Sequence, residues 1–282
     1  MKKILYVVSG WCIALLSACS SSFDCNKSYS NPNKERKIAV QMWSLHDVTL
    51  EEAIKKLKAV GIEAIECYPG QFVSKKLPNV RLQPGMTKEQ IDFVKKMVAD
   101  ANMKIVSFGV AYAGNEKQVE QLCVFAKELG TNKILTEARV NMFPVWQKYC
   151  EKYDMYMCLH HHALDAPNQY YDAYVVKKYT APFNRILANP DVGHLVRSNI
   201  SAVETIKQLD GKIGSIHIKD EDAYGNMKSK ARILAKGFVD IPNVLKELDK
   251  QNYNGYLVIE YEDDWGKNVP HIKACADYLK NN

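Results

Sequence analysis

The sequence of 282 residues has eight cysteines but no Cys-x-x-Cys pair, which excludes the common structural-zinc and dithiol redox spacings. No glycine-rich GxGxxG turn follows its first strand-like run, which counts against an open dinucleotide-binding sheet. No strong charge of one sign is present. The formal net charge is +6 and evenly spread, too mild to argue for a nucleic-acid partner. Its N-terminal apolar stretch, Ile4 to Leu16, is too short to span a bilayer as a mature helix. After residue 36 there is no linker-like segment that would divide the chain.

What is there is a folded composition, 47% hydrophobic and 25% charged, long enough to bury a sizeable core. The first residues have the organisation of an export signal. Lys2 and Lys3 precede the apolar stretch, which ends in Leu16-Ser17-Ala18-Cys19. This resembles a bacterial lipobox. It predicts a signal peptide over 1–18, lipidation of Cys19, and a flexible Ser/Asn/Lys-rich tether over 19–36. The mature charge then falls from +6 to +4 as Lys2 and Lys3 leave. The expected address is that of an exported lipoprotein, periplasmic or on the cell surface, touching the membrane only through its lipid. Cys25, Cys67, Cys123, Cys150, Cys158 and Cys275 remain. Most lie in apolar runs and read as small core residues, with one disulfide allowed by an oxidising compartment.

From residue 37 short apolar runs alternate with amphipathic stretches. Strands are expected at 37–45, 64–68, 105–110, 133–138, 155–162, within 185–195, at 214–220 and at 255–262. Helices are expected between and after them. Two carry N-terminal capping signatures, Thr49 with Glu52 and Thr87 with Gln90. Eight β-α units in one domain over 37–282 predict an α/β fold, a single (β/α)8 TIM barrel, with a doubly wound open sheet as the alternative.

In such a barrel the chemistry gathers at the C-terminal strand ends. These ends are rich in titratable groups. They include His46 after the first strand, Glu66 and Tyr68 on the second and Glu137 on the fourth. The triplet His160-His161-His162 ends the fifth, and Asp191 and His194 follow the sixth. His217, Lys219 and Asp220 lie on the seventh, with Glu260 and Glu262 on the eighth. Side chains alternate between faces along a strand. His160 therefore shares a face with His162 and not with His161. Likewise His217 goes with Lys219, and Glu260 with Glu262. A mouth lined by carboxylates and imidazoles suits one divalent ion, Mn²⁺, Mg²⁺, Co²⁺ or Zn²⁺.

At these residues the chain resembles the xylose-isomerase-like TIM-barrel superfamily, the sugar isomerase, epimerase and inosose dehydratase group. "IAVQMWSLHD" resembles its first strand, "GIEAIECYPG" its second, "DVGH" its D-x-G-H, "SIHIKD" its H-x-K-D, and "YLVIEYE" its last glutamate strand. The resemblance covers about residues 37 to 280. It implies Asp191, His217 and Glu260 as metal ligands, with Glu137 as the fourth, and His194 as a substrate contact. His46, Tyr68 and Glu262 are further candidate substrate contacts. The departure is at the fifth strand, where epimerases carry a metal-binding acid/base glutamate and this chain has His160. The "LHHH" run is similar instead to the His-x-His of the inosose dehydratase branch. His160 and His162 are then acid/base residues or alternative ligands, joined by Glu260 and Lys219 as catalytic candidates.

The resemblance implies a metal-dependent enzyme that takes a proton from carbon next to a carbonyl, through a metal-stabilised enediolate. Its substrate would be a small unphosphorylated carbohydrate. The outcome is isomerisation or epimerisation, or β-elimination from a keto-sugar or 3-keto-glycoside. A non-catalytic sugar-binding lipoprotein is the alternative from another class. Export makes a DNA-repair phosphodiesterase role ill-suited. The basic loop Lys228–Lys236, with Arg232, reads as a solvated loop long enough for a lid.

Overall fold

The computed structural model describes residues 35–165 and 170–282. Signal, lipidation and most of the tether lie outside the described residues. At their start Arg36 donates to both carboxylate oxygens of Asp249, at 3.1 and 2.9 Å.

Eight parallel strands make the barrel. In sheet order they are β8 (Ile186–Asn189), β7 (Tyr156–His160), β6 (Lys133–Thr136), β5 (Lys104–Phe108), β2 (Ala64–Cys67), β1 (Ile38–Gln41), β12 (Leu257–Ile259) and β9 (Ile216–Ile218). The sheet closes between β8 and β9 through two isolated parallel bridges, Ala188 with Ile213 and Asp191 with His217. His217 N donates to Pro190 O at 3.0 Å along this seam. The expected TIM barrel is therefore present, and the open sheet is excluded.

The strands are apolar along nearly their whole length because helices cover the outside and other strands the inside. The outer layer comprises α1 (Leu50–Ala59), α2 (Lys88–Asp100), α3 (Glu116–Glu128), α4 (Phe143–Tyr153), α5 (Ala173–Thr180), α6 (Val192–Arg197), α7 (Ala202–Gln208), α8 (Ile241–Lys250) and α9 (Val269–Lys280). Both capping boxes form. Thr49 and Thr87 accept from the backbone of Glu52 and Gln90, whose side chains return the bond. Two small antiparallel hairpins depart from the expected alternation. One pairs β3 (Phe72–Ser74) with β4 (Leu77–Arg81), where Arg81 lies 3.9 Å over the Phe72 ring. The other pairs β10 (Asp220–Glu221) with β11 (Ala231–Arg232) inside the basic loop.

The inside of the barrel is layered. Ala39, Ala64 and Val258 form a small apolar cluster separate from the main core between strands and helices. Two residues further along the same strands, on the same face, come Gln41, Glu66 and Glu260. The lower barrel is thus packed with small apolar groups, and the upper barrel with polar ones.

Candidate active site at the C-terminal strand ends

Asp191 is fixed by the turn it begins. Its Oδ1 accepts from the backbone N–H of Gly193 and His194, both at 3.0 Å, capping α6. That leaves Oδ2 for the barrel. Gly193 is required sterically, since a Cβ there would fall 2.2 Å from Lys219 Cγ. The "DVGH" spacing therefore lets the helix start sit against the lysine stem.

His217 stands opposite. Its Nε2 lies 2.6 Å from Glu66 Oε1, and Glu66 is fully buried. Gln41 Nε2 donates to the same oxygen at 2.6 Å, and Ser107 Oγ donates to the other. Two donors and an imidazole thus hold the Glu66 carboxylate. With Nε2 paired to Glu66, Nδ1 faces the barrel axis. It lies 3.1 Å from Glu260 Oε2 and 3.4 Å from Asp191 Oδ2.

Asp191, His217 and Glu260 each offer one donor atom, all within 4.8 Å of one another. Two of these atoms, Asp191 Oδ2 and His217 Nδ1, are buried and held by ion-pair contacts without a well-formed hydrogen bond. Two oxygens and one imidazole nitrogen, with a carboxylate behind the imidazole, fit a divalent ion. A second group, His160, Asp191 and His194, meets the same distance limit. Glu137 falls in neither group. It accepts from the Tyr112 hydroxyl at 3.2 Å.

Lys219 reaches the same place from β9. Its Nζ lies 3.0 Å from Asp191 Oδ2, 2.8 Å from Glu260 Oε2 and 2.7 Å from Glu262 Oε2. Burial opposes its charge, but these three carboxylates outweigh it and hold the ammonium well above its usual pKa. Lys219 is a fixed cation and not a base. Burial would raise Asp191, yet the Lys219 ammonium and the His217 ring hold it well below the usual aspartate range. Burial likewise opposes ionisation of Glu260, but Lys219 and His217 pull it below the glutamate range. For His217 burial is outweighed by Glu66 and Glu260, and its pKa rises well above 6.5.

The histidine triplet splits as strand alternation requires. His160 faces inward, its Nδ1 2.7 Å from Asn189 Oδ1. Its ring centroid is 5.0 Å from that of His217 and 6.0 Å from that of His194. Burial first, then the charge of His217, lowers its pKa, so the imidazole is neutral near pH 7. His162 packs on His194 with centroids 4.1 Å apart. Burial and the Lys219 charge keep His194 neutral too. His161 points the other way, fully buried, with neither ring nitrogen partnered. Burial pushes its pKa down to about 3.

Further out, Arg197 Nε sits 2.9 Å from Glu221 Oε1 and Arg197 Nη1 3.7 Å from Glu262 Oε2. Asp220, the last residue of "HIKD", does not enter the site. It accepts from the backbone N–H of Glu221, Lys236, Gly237 and Val239, and so pins the basic loop. His46 and Tyr68 stand at the rim and touch the Trp43 ring from two sides.

Comparison with known proteins decides the family. The profile described as "Xylose isomerase-like TIM barrel" matches residues 54–282. The chain belongs to that family. Among curated relatives, the inosose dehydratase of Clostridium perfringens is 32% identical over 88 residues, covering 26% of this chain and 30% of the relative. The inosose dehydratase of Mesomycoplasma hyopneumoniae is 25% identical over 160 residues, covering 50% and 52%. The chain thus matches about a third to a half of the length of these relatives. An uncharacterised protein of Parabacteroides distasonis, solved by crystallography, superposes with a TM-score of 0.71 at 24% identity, over 87% of this chain and 98% of that one.

Proposed function

We propose that this protein is a metal-dependent dehydratase or lyase that removes a proton next to a carbonyl and expels a β-leaving group from an unphosphorylated keto-carbohydrate. The observation carrying this reading is the pairing of a neutral, oriented imidazole, His160, with a cluster whose carboxylates are all engaged. Asp191, Glu260 and Glu262 surround Lys219, and Glu66 holds His217. Among these four carboxylates, no two are left to face each other as an epimerising pair.

Asp191, His217 and Glu260 would hold the divalent ion, with Glu137 as a further ligand. Once bound, it supplies positive charge where the substrate oxygens gain negative charge. Asn189 fixes His160 so that Nε2 carries the lone pair. That nitrogen takes the C–H proton, the electron pair of the broken bond closes a carbon–carbon double bond, and the β-oxygen departs with its own bonding pair. The proton then passes from His160 to that oxygen, completing water or an alcohol. His162 and His194 flank His160 and shape the pocket on that side. Lys219, a permanent donor, balances the carboxylates. His46, Tyr68, His194 and Glu262 contact the substrate. The names of the curated relatives support dehydration of a keto-inositol as one form of this reaction.

The test is incubation of metal-loaded protein in deuterated water with inosose, a 3-keto-glucoside, an aldose and a ketose, followed by NMR. Loss of water or aglycone to an unsaturated keto product is expected, and His160→Ala should slow it about 10²-fold or more. Deuterium washed into an intact ring with an isomer formed would favour the second reading, an isomerase or epimerase, for which the family as a whole provides the support.

Export as a Cys19 lipoprotein is part of this proposal, supported by Leu16-Ser17-Ala18-Cys19. Among the described residues no helix is long and apolar enough to cross a membrane. Mass spectrometry of the mature N-terminus should find a lipid on Cys19. An unmodified chain beginning at Met1 would remove this part of the reading.

A further inference from the structure

Beside the buried cluster, the ends of β1, β2 and β12 carry an exposed aromatic group that proton transfer does not use. Trp43 and Trp265 are each 42% exposed, unusual for the largest apolar side chain. The His46 ring lies between them. It stacks on Trp43 with centroids 4.6 Å apart at 19° and meets Trp265 edge-on at 4.4 Å and 73°. Tyr68 supports Trp43 from below, edge-on at 5.2 Å and 84°.

The platform is rigid. Ser44, beside Trp43, is fully buried. Its hydroxyl accepts from Tyr261 N at 2.8 Å, and its carbonyl accepts from Asn268 Nδ2 at 2.5 Å. These two bonds tie the turn after β1 to the loop carrying Trp265. His46 Nδ1 bonds Trp43 O at 3.0 Å within that turn. The rings are therefore held apart from the core at fixed angles, without the ordering cost a flexible surface would incur on binding.

The surroundings decide the chemistry of the occupant. Asp47, Asp263 and Asp264 flank the rings in sequence and supply acceptors that outnumber the one ammonium within three residues of Trp265, Lys267. That disfavours a phosphate. Aromatic faces carry negative quadrupole density and attract the polarised C–H face of a ring whose hydroxyls point outward to acceptors. A pyranose has that construction. The location fixes which pyranose. Gln41, Glu66 and Glu260 lie on the same three strands, two to five residues before the platform. A ring reacting at the barrel mouth would leave whatever is joined to it to emerge over Trp43 and Trp265.

We propose that Trp43, His46 and Trp265 form a stacking subsite for a second pyranose ring attached to the reacting one, so that the preferred substrate is a glycoside of a sugar and not a free monosaccharide. This deepens the reading above and rests on its carbohydrate substrate, but not on the reaction assigned to it.

Calorimetric titration of the full-length protein with cellobiose and with glucose tests it. Cellobiose should bind about tenfold more tightly, equal to about 1.4 kcal/mol. That ratio should collapse toward one in Trp43→Ala and in Trp265→Ala, and recover in Trp43→Phe. Protection of the remaining surface tryptophan from iodide quenching by cellobiose gives a second readout. Equal binding of the two sugars, no binding of either, or an unchanged ratio in the variants would overturn the subsite. Tryptophan-dependent binding of p-nitrophenyl glucoside without cellobiose would replace the sugar by an aryl aglycone and overturn the class proposed. Tryptophan-dependent cellobiose binding without turnover of any keto-glycoside would leave the subsite standing and remove the elimination reading.

Discussion

The two ends of the barrel are made by the same eight strands and differ in nearly every physical respect. The N-terminal end holds a cavity of about 730 Å³ at the start of β5, β6 and β7. Its walls are apolar surface with Lys95, Lys104, Lys127 and Lys133 around it. The C-terminal end instead buries Glu66, Asp191, His217, Lys219 and Glu260 within a few ångströms of one another. Charges in water are cheap, and a ring of lysines around a wet cavity needs no compensation. Charges out of water are costly unless paired, so a chain that keeps five of them in contact implies a role that outweighs the cost. Desolvated charge, and not the 730 Å³ cavity, is what singles out the C-terminal end as the candidate site.

The strongest way to break this contrast is to remove a donor at the C-terminal end. Asp191→Asn or Glu260→Gln should lower turnover by about 10³-fold or more. Chelation of divalent metal should do the same to the native protein, with activity returning on metal addition. A rate after chelation equal to that of the untreated protein would dismiss the metal reading, and a fully active Asp191→Asn would dismiss that residue.

Much of this end was legible in the sequence, and the reason is periodicity. Strand alternation alone separates His160 and His162 from His161, and the structure places them on opposite faces. The barrel, both capping boxes and the gathering of titratable groups at one mouth follow from apolar runs and strand-end positions, whereas the choice of Asp191, His217 and Glu260 among those groups rests on the family resemblance. What was not legible depends on register between strands far apart in sequence. Glu66 was visible as a strand-end carboxylate, but its hold on His217 spans 151 residues. It also requires Gln41 and Ser107, which carry no signal of their own. Arg197, on a helix of six residues, meets Glu221 and Glu262 only after the basic loop folds back. Asp220 looked like site chemistry because it completes a motif. Its four backbone bonds show that part of that motif is architecture.

Glu66 sharpens the comparison, since it acts one shell away from the donor atoms. Glu66→Gln preserves shape and removes the charge that orients His217. Metal affinity, measured by competition with a chromophoric chelator, should weaken about 10- to 100-fold, while Asp191→Asn should lose more. An affinity unchanged in Glu66→Gln would show that the His217 tautomer is fixed by other means.

His161 offers a smaller effect with a defined sign. In the unfolded chain its imidazole binds a proton below about pH 6.5. In the folded protein it does so only near pH 3. Between these values the unfolded state holds more protons, so stability rises with pH across the window and this contribution is complete above 6.5. The slope from this group is at most about 1.4 kcal/mol per pH unit. In His161→Leu the proton uptake on unfolding, from denaturant melts between pH 4 and 6, should fall by about one. An unchanged uptake would mean that the buried ring is already protonated in the folded state.

The smallest expected effect tests the other side of the contrast. Lys104 and Lys127 line the large cavity at the N-terminal end, where nothing buried depends on their charge. Lys104 begins β5 with its side chain in solvent, and its backbone N–H, bonded to Glu63 O at 2.9 Å, survives any side-chain change. Lys104→Ala and Lys127→Ala should therefore leave turnover within about twofold and the melting temperature within about 2 °C. Both quantities are read in the assays used for the C-terminal variants. If either lysine variant lowered turnover as Glu66→Gln lowers metal affinity, volume would have been the better guide. The N-terminal cavity would then have to communicate with the mouth through β5 and β6. The Ala39, Ala64 and Val258 layer lies between the two ends, and its three side chains are small, apolar and without a polar atom to carry such a signal. That layer is the physical reason to expect the lysine variants to be silent.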